Sequence, residues 1–141
     1  MLPQTEAVKD KGFEILYLTD DVDEFALKML REYEGKSFTN ICNDKLDLDT
    51  DEEKEAISKE NEEAKDLLDS MKEAIGEGVS AVRFTNSLKN HPVCLTSEGE
   101  ISLDMERTLN AMPNPMGGAI KAQRVLEINV DHSVFSVLKE N

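Results

Sequence analysis

Tryptophan is absent from this 141-residue chain and aromatic residues make up only 5% of it. Any core must therefore rest on Leu, Ile, Val, Ala and Met. Positive charge is scarce as well. Thirty acidic residues face 16 Lys plus Arg, for a net charge of −14, and such a surface repels phosphate backbones and anionic lipid. Nucleic acid and membrane are thus disfavoured as partners. No run reaches the ~18 apolar residues of a membrane span, and the first residues lack the basic-then-apolar layout of a secretory signal. The expected location is the cytoplasm. The two cysteines, Cys42 and Cys94, form no CxxC pair. They are expected to be reduced and to pack as small hydrophobes.

Catalytic and ligand-binding motifs are missing too. There is no GxGxxG, and GGAIK (residues 117–121) lacks the GK[ST] of a phosphate-binding loop. DLDTDEE (residues 47–53) superficially resembles a calcium loop, but Glu52 and Ser58 stand where that loop needs Gly and Glu. It is expected to be a solvated helix entry. His91 and Cys94 supply two ligands where a structural zinc needs four. As base and nucleophile they lack an orienting third group and an oxyanion site. No catalytic, metal or cofactor residue is assigned.

The residues present fall into two textures. LPQTEAVKDKG (residues 2–12) predicts a short helix stopped by Gly12, where glycine supplies a left-handed turn. FEILYLT (residues 13–19) is a continuous β-prone run suited to a buried strand. DDVDEFALKMLREYEG (residues 20–35) predicts a helix with acids in its first turn and Gly35 as its stop. KSFTNICN (residues 36–43) predicts a second strand. Strand, helix and strand predict a right-handed βαβ unit with parallel strands, in which Val22, Met29 and Tyr33 fill the core.

Residues 44–53 read as a polar connection. A charged helix is predicted over 50–77, with Thr50 and Glu53 forming a capping box. It holds 11 acids and 4 lysines, half the charge of the chain. Its narrow apolar stripe of Ile57, Ala64, Leu68, Met71 and Ile75 suits a brace between two packed units. The domain boundary is accordingly placed along it, giving units 1–65 and 66–141. VSAVRFTN, HPVCLTS and QRVLEINV then predict three strands, and DHSVFSVLKEN a closing helix capped by Asp131. The fold class is α+β: a small α/β/α unit, a long linking helix and a small mixed-sheet domain with flanking helices.

Between the second and third of those strands lies EISLDMERTLNAMPNPMGGAIKAQ (residues 100–123). Ile101, Met105, Thr108, Leu109 and Met112 share one helical face. Ser102 is the expected cap and Pro113 the stop, followed by a Gly/Pro/Met loop expected to be mobile. Periodicity leaves that face open to two uses, core packing or an interaction surface.

Three stretches carry a family resemblance. GFEILYLTDDVDEFALKMLREYEGKSF (residues 12–38) resembles the end of the middle domain of the heat shock protein 90 chaperones. DMERTLNAM (residues 104–112) and VLEINVDH (residues 125–132) are similar to segments of that family's C-terminal domain. The wording of ISLDMERTLNAMPN is similar to bacterial members. The resemblance covers nearly the whole chain and implies a fragment, lacking the N-terminal ATP-binding domain and the final dimerisation helices. It implies no ATP hydrolysis here, with ATP and magnesium bound by the full-length parent. The parent would be a homodimer with co-chaperones, and this piece monomeric or weakly associating.

The family's client-binding surface carries over to Ile101, Met105, Thr108 and Leu109 on one side, with Phe25 and Lys28 on the other. Met112 and Met116 are added on chemical grounds, since flexible, polarizable Met suits surfaces that accept many partners. The expected function is contact with partly folded clients. The alternative is a structural module in which these faces are buried, Phe25 is core and Lys28 is a solvated charge.

Overall fold

A computed structural model describes residues 3–42, 49–113 and 118–140. In chain order these form α1 (Thr5–Asp10), α2 (Asp23–Leu30), β1 (Glu32–Tyr33), β2 (Lys36–Ser37), α3 (Asp51–Glu63) and α4 (Lys65–Ile75). A 3₁₀ turn (Gly76–Gly78), β3 (Ala81–Thr85), β4 (Val93–Glu98), α5 (Leu103–Ala111), β5 (Gln123–Asn129) and α6 (Ser133–Glu140) follow. The class is α+β, as the sequence implies.

The three predicted strands of the second half assemble in the order β3-β5-β4, with β5 parallel to β3 and antiparallel to β4. The register sets Val82 beside Leu126 and Phe84 beside Ile128. Side chains alternate across a pleat, so these four share one face. Phe84 and Ile128 cluster there with Ala64, Leu68, Val79 and Val82, and Met71, Phe135 and Leu138 pack around them. Phe135 of α6 meets Phe84 edge-on, with ring centroids 4.8 Å apart. Ala64, Leu68 and Met71 of the stripe predicted on the charged helix thus lie against this sheet, whereas Ile75 is exposed. On the opposite face Val125, Cys94 and Thr96 are buried.

One side chain finishes the sheet. The Asn61 carboxamide accepts from the Phe84 backbone N–H (2.8 Å) and donates to the Phe84 carbonyl (3.2 Å), as a neighbouring strand would. A buried edge would otherwise leave these groups unpaired.

Local chemistry explains the helix ends. Thr50 and Glu53 form the predicted capping box, and Ser102 accepts from the Met105 N–H to cap α5. Gly12 (φ 77°) ends α1 with bonds from Gly12 N–H to Lys9 and from Phe13 N–H to Val8, the pattern of a Schellman stop.

The first forty residues depart from expectation. The run 13–19 is not a strand. Phe13, Leu16, Tyr17 and Leu18 are exposed, as are Val22, Met29 (84%) and Tyr33, so these residues fill no core. A β-prone run becomes a strand only against a neighbouring ladder, and no described strand lies beside it. The parallel βαβ unit is accordingly not formed. The helix ends at Leu30 rather than Gly35, because Arg31 turns to φ 65°. Residues 32–37 instead make an antiparallel hairpin, with Glu34 (φ 49°) and Gly35 (φ 74°) as its two turn residues. Positive φ at both positions matches the twist of such short ribbons. The single helix predicted over 50–77 breaks at Ala64, whose φ of −99° and ψ of 16° end α3 and start α4. At the last helix, His132 rather than Asp131 makes the capping contact, its Nδ1 accepting from the Val134 N–H.

Candidate functional site

The amphipathic helix α5 and the helix α2, read from the sequence as two sides of one surface, are in contact. Ser102 is the hinge of that contact. Its hydroxyl oxygen accepts the Met105 N–H at 3.0 Å, while its proton is donated to Glu24 Oε2 of α2 at 2.6 Å. The other Glu24 oxygen accepts from the Asn40 side-chain amide at 2.9 Å. One turn on, the Lys28 ammonium donates to the Glu100 carbonyl and lies 3.1 Å from the Met105 sulfur. Lys28 also sits 3.9 Å from Glu24. Its charged head therefore meets the Met105 side chain directly. At the rim, Arg107 lies 3.2 Å from Asp104 and 4.0 Å from Asp21, pairs exposed enough to contribute little.

The predicted face is unevenly accessible. Met105 and Thr108 are buried at 8% and 9% exposure, whereas Met112 at the helix end is 49% exposed. Ile101, Leu109 and Phe25 are half-buried. Met116 lies outside the described residues, as does most of the loop expected to be mobile. The middle of α5 is tied to the start of β5 and the residue before it by Glu106, which accepts from the Ala122 N–H (2.7 Å) and from Arg124 (2.6 Å). These bonds hold the Glu106 carboxyl below its usual range.

A second carboxylate joins α1 to the loop between β3 and β4. Glu6, 7% exposed, accepts from the backbone N–H groups of Lys89 and Asn90 at 3.0 Å each and from the Asn90 side chain at 3.1 Å. His91 Nδ1 lies 3.1 Å away and points its proton at the same carboxylate. The Asn90 N–H, then the Lys89 N–H, the Asn90 amide and the His91 charge hold the Glu6 pKa down to about 2. From the other side, Asn129 Nδ2 donates to the carbonyls of Lys89 and His91. His91 is thus spoken for by packing. Burial, aided by Glu127, pushes the Cys94 thiol up to about 11, and both cysteines are free thiols. A thiol so rarely ionised is a poor nucleophile.

Glu24, Glu6 and Asn129 were invisible as site-forming residues in the sequence. The two glutamates are ordinary acids for the first turn of a helix, and Asn129 sits at the end of a strand. The partners that join them to distant elements lie 38 to 85 positions away, beyond any local pattern. Among the described residues no group of three or more His, Cys, Asp or Glu is placed to hold a metal, and no helix is long and apolar enough to cross a membrane.

Comparison with known proteins agrees with the sequence resemblance. The chaperone protein HtpG of Clostridium perfringens is 54% identical over 139 residues, 99% of this chain. HtpG of Bacillus velezensis is 50% identical over 138 residues, and that of Bacillus subtilis 48% over 139. The chain spans 22% of the length of each of these relatives. The family model described as Hsp90 protein matches residues 1–141. The chain belongs to the Hsp90 protein family.

Proposed function

We propose that this chain is the client-contacting part of an Hsp90-type chaperone and holds partly folded polypeptides at the surface shared by α2 and α5. The observation that carries this reading is the meeting of Lys28 with Met105, which joins two helices more than seventy residues apart at the predicted surface. Leu109, Met112 and the half-buried Ile101 and Phe25 supply apolar area beside it. The acidic surface around them keeps such a patch soluble. A small patch with adaptable Met contacts binds weakly and broadly, because area alone does not give affinity.

The parent would be a homodimeric cytoplasmic chaperone with co-chaperones, whose ATP and magnesium bind elsewhere. This chain itself would hydrolyse no ATP and be monomeric or weakly associating. The break at Ala64 supports placing the boundary between its middle-domain and C-terminal parts at residues 65 and 66.

The test uses a permanently unfolded test protein. Leu109→Asp with Met112→Asp should weaken its binding by at least about fivefold, the scale of losing ~1 kcal/mol of contact, with an unchanged Tm. Unchanged binding rejects the reading. A second reading, a structural module without client contact, is favoured by the burial of Met105 and Thr108. It expects the same pair of substitutions to lower the Tm and leave binding alone.

A further inference from the structure

We propose that α2 is a lid on the client-contacting face of α5, and that Glu24 is the residue that latches it. This inference rests on the proposed client reading and adds its regulation. Met105 is one of the two most buried members of the predicted face, yet part of what covers it is a cation on a helix of the other unit rather than apolar core. A lysine over a thioether is weak glue, since sulfur is a poor acceptor. The hold comes from the neighbouring charge-assisted bond of 2.6 Å between Ser102 and Glu24, whose side chain is only 15% exposed.

Ser102 makes the latch switch-like. It caps α5 through its oxygen and binds α2 through its proton, so releasing Glu24 leaves the α5 cap intact. Other attachments near this point include the Lys28 bond to the Glu100 carbonyl, the exposed Arg107–Asp21 contact and, past the hairpin, the Ser97 N–H bond to the Cys42 carbonyl. The outer face of α2 is itself apolar and open, with Val22, Met29 and Leu30 exposed. Opening therefore extends a patch that already exists: Met105 joins Leu109 and Met112. The two states differ in how much of α5 a polypeptide segment can touch.

The experiment compares the 141-residue chain with Glu24→Ala and with Ser102→Asp. The second keeps a capping oxygen for α5 but sets a like charge against Glu24. Dilute hydrogen peroxide is the probe, with oxidation of each methionine followed by mass spectrometry and the exposed Met29 as internal reference. Both variants should oxidise Met105 at least about tenfold faster relative to Met29, the shift expected for losing one hydrogen bond to a charged group. Both should also bind the unfolded test protein more tightly. An unchanged Met105 rate in both variants overturns the latch. A faster Met105 rate with unchanged client binding upholds the latch and overturns the client reading. Loss of α5 helix signals in Ser102→Asp alone leaves Glu24→Ala to decide by the same two readouts.

Discussion

At the scale of single residues, α1 and α2 are fastened to the later part of the chain by carboxylates that find their donors far along the sequence. Glu6 is the more deeply committed, with four donors in reach and a pKa of about 2 against an ordinary 4.5. The sign follows from which state holds the proton more readily. The folded carboxyl is the stronger acid, so its contribution is complete above pH 4.5 and is lost as the pH falls from 4.5 towards 2. Lys89 and Asp10 pair beside it. Thermal unfolding measured between pH 6 and pH 2 should therefore show a steep drop in the parent chain. Glu6→Gln should lower the Tm at pH 6 and flatten that drop. Parallel curves for the two proteins would mean that Glu6 does not hold α1.

At the scale of elements, α6 is the clearest dependent. Eight residues are too few to be helical alone, and α6 is anchored by Phe135 on Phe84 and by Lys139 on Glu60. Phe135→Ala should cost about 2–3 kcal/mol, below the 3–5 of a fully buried phenylalanine because the ring is half-buried. Urea unfolding would measure it, and amide exchange should accelerate over residues 133–140 before the sheet is affected.

Legibility in the sequence divides along the same line of dependence. The capping box at Thr50, the cap at Ser102 and the stop at Gly12 each involve only residues close in sequence, and each is where the local pattern puts it. The three strands after Gly78 are legible because each β-prone run finds a ladder partner in another. FEILYLT fails the same reading because a strand is a relation between segments, and no described segment pairs with it. The break at Ala64 has no signal in composition, since alanine is the best of helix formers. For the candidate site, the periodicity of α5 gave a face and the family resemblance gave its neighbour. The Glu24 and Lys28 contacts needed the tertiary arrangement.

At the scale of the whole molecule, two surfaces oppose each other. Residues 13–33 expose Phe13, Leu16, Tyr17, Leu18, Val22, Met29, Leu30 and Tyr33, an apolar area of the kind that drives association. The net charge of −14 works against that. Salt should decide between them, because charge repulsion fades as the screening length falls from ~30 Å at 0.01 M to ~3 Å at 1 M. Sedimentation should find a monomer at low salt and growing self-association as salt is raised. Leu16→Lys with Met29→Lys should suppress that growth. A mass that does not respond to salt in the parent chain would show that the exposed run is not adhesive.

The stretch after Gly12 also separates covalent from physical continuity. Tyr17 stands exposed in a segment without helix or strand, a natural target for a chymotrypsin-like protease. Yet α1, upstream of it, is gripped through Glu6 and by the burial of Thr5 and Val8. A chain cut after Tyr17 would therefore travel as one body under native conditions and fall into two pieces only when denatured. The amino-terminal peptide would behave as a bound ligand with an affinity of its own, one that weakens in acid as Glu6 takes up its proton.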